Sequence, residues 1–259
     1  MRFDNKVVLI TGAGSGLGRA TALQLAREGA RLAMVDVGAA SLEETRRQIL
    51  EFRPDAPVSL TVADVTDEPA VAAFVADTVA RYGRLDGFFN NAGVEGRQNP
   101  TADYGIEEFH RVVNVNLNGV FYGLKHVLAV MQKQGCGAVV NMASVGGIRG
   151  VGNQSGYSAS KHGVVGLTRN SAVEYGQYGI RVNAVAPGAI MTPMVEGSLR
   201  QMGGDNWEAV GRQFVSANPM QRFGRPEEVA TVVAFLLSDE STFINAAVVP
   251  IDGGQSYKY

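Results

Sequence analysis

The sequence predicts a single α/β domain over residues 1–259: a doubly wound, seven-stranded parallel sheet with helices on both faces. Three observations predict it. Short apolar, β-branched runs alternate with segments of helical periodicity along the whole chain. The first run opens directly into a glycine-rich turn that starts a helix. Polar residues and glycines follow the later runs, at the strand carboxyl ends where such a sheet collects its ligands.

Lys6-Val7-Val8-Leu9-Ile10 is the first strand, and Thr11 to Gly18 is the turn. Ala20, Leu23, Leu25 and Ala26 then recur at helical spacing until Gly29. Strand, glycine turn and helix in that order fit a dinucleotide phosphate loop, with Gly12, Ser15, Gly16, Leu17 and Gly18 as its residues. Glycine lets the backbone approach a pyrophosphate, and the helix N-terminus favours its charge. The spacing of Gly12, Gly16 and Gly18 is four and two, which departs from Gly-x-Gly-x-x-Gly. A tight turn packed for helix–sheet contact would need no ligand.

The second strand, Arg31 to Val35, ends at Asp36, 24 positions after Gly12. A carboxylate there accepts hydrogen bonds from adenosine ribose hydroxyls and repels a 2′-phosphate. With serine at 15 and valine at 37, no cation stands nearby to welcome that phosphate, so NAD is expected over NADP. Ser41-Leu42-Glu43-Glu44 opens the next helix with a start resembling a capping box, and the helix runs to about Phe52. Val58 to Ala63 is the third strand, and Asp64 and Val65 stand at its end, where an adenine would meet them.

Glu68 to Tyr82 is helical and closed by Gly83. Leu85 to Phe89 leads into Asn90-Asn91-Ala92-Gly93, whose amides suit the joining of neighbouring strands and whose glycine suits close passage of a cofactor. A helix is predicted over Glu107 to Gln134 with Asn114, Asn116 and Asn118 in its middle. Asparagine is disfavoured there, so three of them in five residues point to a local irregularity.

Ala138 to Met142 is a strand apolar enough to be central, and it delivers Ser144. The glycine-rich stretch 145–154 turns back to a helix carrying Tyr157 and Lys161, with Val164, Val165, Leu167 and Ala172 on its apolar side. Four apart, Tyr157 and Lys161 share one helix face. A free phenol titrates near pH ~10, too high for a good base at neutral pH, and an adjacent ammonium is expected to lower it.

Ile180 to Ala186 is a strand stopped by Pro187-Gly188. From 189 to 218 the pattern loosens, and Met191, Pro193, Met194, Met202, Trp207 and Phe214 fit short helices with an adaptable apolar face. That segment reads as a lid over a substrate or as ordinary core packing. Pro226 to Leu237 is the last helix and Ala247 to Ile251 the last strand.

Composition narrows the function. The 23 basic and 25 acidic residues leave a formal charge of −2, giving no electrostatic case for nucleic acid or an anionic membrane. Cys136 is the only cysteine, and His110, His126 and His162 are scattered, so neither a disulfide nor a metal site is expected. No window is long and apolar enough for a membrane span and no leader pattern opens the chain, so a cytoplasmic protein is expected.

Taken together, Thr11-Gly12-x-x-x-Gly16-x-Gly18, Asn90-Asn91-Ala92-Gly93, Asn116, Ser144, Tyr157-x-x-x-Lys161 and Pro187-Gly188 make the chain resemble the short-chain dehydrogenase/reductase family over essentially its whole length. The resemblance implies a Rossmann-type sheet, NAD(P)-dependent hydride transfer at an alcohol or carbonyl, and usually a homotetramer. It implies Tyr157 as acid/base and Lys161 as the group that lowers its pKa and holds the nicotinamide ribose. Ser144 would polarise the substrate oxygen, and Asn116 would fix a water linked to Lys161. Asn91, Ala92, Gly93, Pro187, Gly188, Ile190 and Thr192 would line the cofactor, with Thr192 on the carboxamide.

The stretches 88–96, 144–150 and 152–157 resemble family members acting on a small cyclic ketone or secondary alcohol. Glu95, Asn153, Gln154 and Met194 join Ser144 and Tyr157 as candidate substrate contacts. Two other functions compete. Reduction of a 3-ketoacyl thioester would want a basic docking patch and usually NADP, which Asp36 opposes. A non-catalytic dinucleotide sensor could dispense with Tyr157, Lys161 or Ser144, all of which are present. A long apolar helix near Phe121 to Met131 and the helix after Tyr157 are suited to pair across a two-fold axis.

Overall fold

A computed structural model describes residues 1–216 and 218–257. Ala217, inside the expected lid, and the last two residues of the expected domain lie outside the described residues. One sheet of seven parallel strands has the order β3-β2-β1-β4-β5-β6-β7. Its strands are β1 Val7–Thr11, β2 Arg31–Asp36, β3 Val58–Val62, β4 Gly87–Asn90, β5 Gly137–Met142, β6 Ile180–Pro187 and β7 Val248–Ile251.

The central strands read as unbroken apolar runs because both faces are covered. Val8 and Ile10 enter one core, with Leu25 and Ala26 of α1 (Gly16–Arg27), Leu42 and Ile49 of α2 (Ala39–Phe52), and Val229 and Val233 of the last helix, Pro226–Leu237. Val7 and Leu9 enter the other, with Val71 and Phe74 of α3 (Glu68–Tyr82) and residues of two long helices described below. The period of two along a strand divides its side chains between the cores. Pro250 is tolerated in β7 because that strand is an edge.

Caps explain the helix ends. Asp67 accepts from the Ala70 N–H to start α3, and Gly83 ends it at φ 78°. The expected cap at Ser41 is corrected: α2 begins at Ala39 after Gly38, and Ser41 Oγ donates back to the Gly38 carbonyl at 2.8 Å.

The helix predicted over 107–134 is interrupted where the asparagines cluster. It divides into α4 (Ile106–Val113), a π-turn over Asn114–Asn118, and α5 (Gly119–Gln134). A π-turn inserts an extra residue and swings one side chain out of register. Of its five residues Asn116 is the buried one, with no exposure. Downstream lie α6 (Ser155–Tyr175), then two short helices, α7 (Pro193–Gly203) and α8 (Trp207–Ser216), and finally α9 (Pro226–Leu237). Among the described residues no helix is long and apolar enough to cross a membrane.

Candidate active site

The sheet order reverses direction between β1 and β4, and a crevice opens at the carboxyl ends on either side of that switch. The Thr11 hydroxyl at the end of β1 accepts from the N–H groups of Asn91 (3.0 Å) and Ala92 (3.1 Å), and Asn91 Nδ2 donates to the Thr11 carbonyl at 2.9 Å. This ties the glycine turn to the end of β4. Asn90 Nδ2 bonds the Val120 carbonyl at 2.9 Å and Asn141 Oδ1 at 3.2 Å, so both amides join neighbouring elements as expected. Thr11 stood in the glycine motif without an assigned role, and Asn141 was not singled out from sequence, an amide inside a buried strand being the available signal.

Gly12 and Gly16 adopt φ of +66° and +50°, which glycine takes without strain. A Cβ at Gly18 would overlap the Gly12 carbonyl oxygen, so Gly18 serves the close packing of helix on turn.

A cavity of about 450 Å³ runs along these strand ends. Every expected cofactor residue except Gly18 lines it: Gly12, Ser15, Gly16, Leu17, Asp36, Asp64, Val65, Asn91, Ala92, Gly93, Tyr157, Lys161, Pro187, Gly188, Ile190 and Thr192. Val37, Ala63, Val94, Val115 and Met142 also line it. They are apolar residues at strand ends or in the π-turn, which no local pattern distinguishes from core.

Asp36 is held firmly. Its carboxylate accepts from the Gly14 N–H at 2.9 Å and the Gly38 N–H at 3.0 Å. The expectation that no cation stands near needs one correction, because α1 brings Arg19 to this corner. Its guanidinium is committed to the Gly14 carbonyl, to Thr45 Oγ1 at 3.0 Å and to the Ser41 carbonyl at 3.4 Å.

Ser144 follows β5 and is 8% exposed; its Oγ accepts from the Gly146 N–H at 3.1 Å. The turn brings α6 back so that Tyr157, Lys161 and Ser144 all face the cavity. Gly147 permits this, because a Cβ there would meet the Lys161 carbonyl oxygen at 2.6 Å. Lys161 Nζ, 2% exposed in its residue, donates to the Met142 carbonyl at 2.7 Å and lies 5.7 Å from the centre of the Tyr157 ring.

The expected electrostatics are overturned for the free chain. Burial pushes the Tyr157 phenol up to about 12; the neighbouring Ser144 hydroxyl opposes that, and the negative Glu95 adds to it. Burial pulls Lys161 down to about 8. Turned onto a carbonyl, the ammonium does not offset the loss of solvent around the phenol.

Asn116 lies beside the cavity rather than on its wall. Its side chain pairs with Val94 through both backbone groups, at 2.8 Å from the N–H and 2.7 Å to the carbonyl, and Nδ2 also donates to Ser160 Oγ at 3.2 Å. Among the six candidate substrate residues, Ser144, Tyr157 and Met194 line the cavity. Asn153 is exposed at φ 62° and uses its carbonyl to accept from Asn99. Glu95 and Gln154 bond each other in a separate cluster.

A family model described as enoyl-(acyl carrier protein) reductase matches residues 12–256. The chain is 62% identical over 258 residues to levodione reductase of Leifsonia aquatica, covering 100% of this chain and 97% of that protein. The crystal structure of levodione reductase matches with a TM-score of 0.98, 62% identity and 100% coverage of both chains. The stretches 88–96, 144–150 and 152–157 each contribute residues to the cavity wall, among them Asn91, Ser144 and Tyr157. Cyclohexanol dehydrogenase of Acinetobacter sp. strain SE19 is 40% identical over 257 residues, covering 99% of this chain and 97% of its own. NAD+-bound xylitol dehydrogenase matches with a TM-score of 0.94 at 37% identity, over 98% of this chain and 100% of that one. With a seven-stranded parallel sheet, a glycine turn on β1 and the Ser-Tyr-Lys group at one crevice, this full-length likeness shows that the chain belongs to the short-chain dehydrogenase/reductase family.

Proposed function

We propose that the protein is an NAD-dependent oxidoreductase that moves a hydride between NAD(H) and a small cyclic ketone or secondary alcohol. One observation carries the reading: a single cavity has Asp36 at the end of β2 and Asp64 beyond β3, and Ser144, Tyr157 and Lys161 beyond β5 on the other side of the switch. Its size suits an extended ligand. The glycine turn bares its backbone to the cavity, where a Cβ at Gly16 would point within 3.7 Å of Thr192. These features fit a dinucleotide, which would supply the hydride when bound. The levodione reductase and cyclohexanol dehydrogenase relatives support a cyclic substrate, and the NAD+-bound xylitol dehydrogenase supports NAD.

In this reading Asp36 accepts from the adenosine ribose, with its orientation set in advance by Gly14 and Gly38. Tyr157, whose phenol pKa is raised by burial in the free chain, donates a proton to the substrate oxygen in reduction and accepts it back in oxidation. The Ser144 hydroxyl stands on the same oxygen and stabilises the charge that develops there. Lys161 holds the nicotinamide ribose, Thr192 the carboxamide, and Asn116 a water beside Lys161. The segment over α7 and α8 acts as the lid, with Met194 on the substrate side.

A homotetramer is the assembly we favour, supported by apolar Phe121 on α5 and Val173 on α6, 48% and 81% exposed. Cytoplasmic placement is favoured by the single cysteine, Cys136, which is free.

The experiment is a set of initial rates at 340 nm with NADH and NADPH against cyclic diketones, simple cyclic ketones and a 3-ketoacyl thioester. Turnover of a cyclic ketone with NADH is the expected result. Turnover confined to the thioester would replace the substrate reading, and tight NADH binding without turnover would favour a sensor. Asp36→Ala is expected to cut the NADH-over-NADPH preference roughly tenfold or more, through loss of charge-assisted hydrogen bonds worth about 1.5–3 kcal/mol. An unchanged preference would remove Asp36 from that role.

A further inference from the structure

The loop after β4 carries a carboxylate outside the cavity wall. Glu95 Oε1 accepts from Gln154 Nε2, from Ser198 Oγ at 2.9 Å and from Gln98 Nε2 at 3.4 Å. Gln98 Nε2 also reaches Ser198 Oγ at 2.5 Å. One oxygen thus joins three segments: the loop continuing from Asn91 to Val94, the residue that precedes α6, and the middle of α7.

The composition of this cluster is unusual for a structural tie. Several carboxylates in this protein face cations, as Glu108 faces Arg111 and Glu228 faces Arg222, and others such as Asp36 and Asp67 cap backbone N–H groups. Glu95 has three uncharged partners, and burial raises its pKa more than their hydrogen bonds lower it. The titratable groups that feel its charge are Tyr157 on α6 and Tyr104 before α4, where Glu108 also bears. A charge kept in such a place makes stronger bonds than an amide would.

The lid helix rests on α8, where Leu199 faces Gly211 and the Arg200 guanidinium lies 4.8 Å over the Trp207 ring, but toward the loop after β4 and toward α6 it has few other ties. Of the residues in α7 only Ser198 and Leu199 are buried, while Met194 and Met202 are 39% and 46% exposed. Gln201 Nε2 adds a single long bond to the Gly96 carbonyl at 3.4 Å.

We propose that Glu95 is a positioning residue that clasps the lid helix α7 to the front of the catalytic helix α6, so that the closed substrate pocket depends on this one carboxylate. The proposal rests on the reading of Tyr157 and its cavity as the active site. A weakened clasp lowers the closed fraction, and substrate affinity falls in proportion to that fraction. Chemistry in the closed complex changes little, because the Glu95 charge is the smallest of the three influences on the Tyr157 phenol. Glu95 is therefore expected to act on KM through the lid.

The test is amide hydrogen exchange of α7 in the whole protein, without substrate, for Glu95→Ala, Ser198→Ala, the double variant and Glu95→Gln. Each alanine variant is expected to raise α7 exchange about tenfold, with no further rise in the double variant, because one clasp is lost once. Glu95→Gln, which keeps an acceptor at the same place but not the charge, is expected to restore only part of the protection. Steady-state rates on the best ketone should show KM raised about tenfold with kcat within about threefold. Unchanged α7 exchange in the alanine variants, additive effects in the double variant, or a fall in kcat at constant KM would overturn the clasp. Because exchange is read without turnover, a failure of the ketone assay alone tells against the substrate reading and leaves this test standing. If Glu95→Ala does not fold, Ser198→Ala and Glu95→Gln still decide the matter.

Discussion

Tyr157→Phe is expected to lower turnover roughly 10²–10⁴-fold, the usual contribution of a positioned proton donor, while NADH affinity stays within about twofold. The substitution deletes one oxygen and keeps the ring. That ring packs on Gly146, where a Cβ would stand 3.4 Å from two of its carbons, so the turn before α6 has no reason to move. Single-turnover rates with a cyclic ketone and a fluorescence titration with NADH separate the two effects. Turnover that survives the change would take the proton-transfer role away from Tyr157. In the wild-type protein the phenol stays protonated to about pH 12 in the free chain, so the first proton transfer to a ketone should show no loss between pH 6 and about 8 from this group.

Lys161→Met is expected to cost roughly tenfold to hundredfold in NADH affinity, since a charged donor to the ribose would be lost. Its effect on stability has a sign that pH reveals. Lys161 is held at about 8 in the folded chain against 10.5 ordinarily, so the unfolded chain binds more protons between those values. Wild-type stability therefore gains from this group as pH rises from about 8 to 10.5, by roughly 3 kcal/mol at 1.36 kcal/mol per pKa unit. The methionine variant lacks that gain. It also leaves the Met142 carbonyl without its donor, at a cost of about 1–3 kcal/mol that pH does not change. Denaturant titrations at pH 7, 8.5 and 10 should show the variant losing ground to the wild type at each step. Tyr157 titrates in both proteins and cancels in the comparison. A stability difference constant across that range would mean that Lys161 is not titrating there.

Most of the architecture was legible because it is encoded by near neighbours. The helices over 68–82 and 226–237 matched their predicted spans, since Asp67, Gly83 and Pro226 act through the backbone of their own turns. The central strand runs, such as 7–10 and 138–140, were legible because both faces are buried and the side chains are apolar. Asn114, Asn116 and Asn118 signalled an irregular helix without saying that it would be a π-turn, which depends on what Asn116 meets. It meets Val94, 22 positions earlier.

The sequence by itself determined the sheet, the glycine turn, and which side chains able to carry chemistry stand at strand ends, because local periodicity and turn chemistry decide those features. Only the tertiary structure decided the electrical state of Tyr157 and Lys161, the separation of Glu95 and Gln154 from the cavity, and the commitment of Arg19 to carbonyls. The physical reason is range. A pKa sums the burial and charge of everything around a group, and the Glu95–Ser198 bond joins residues 103 positions apart, a distance over which no local pattern in the chain carries information.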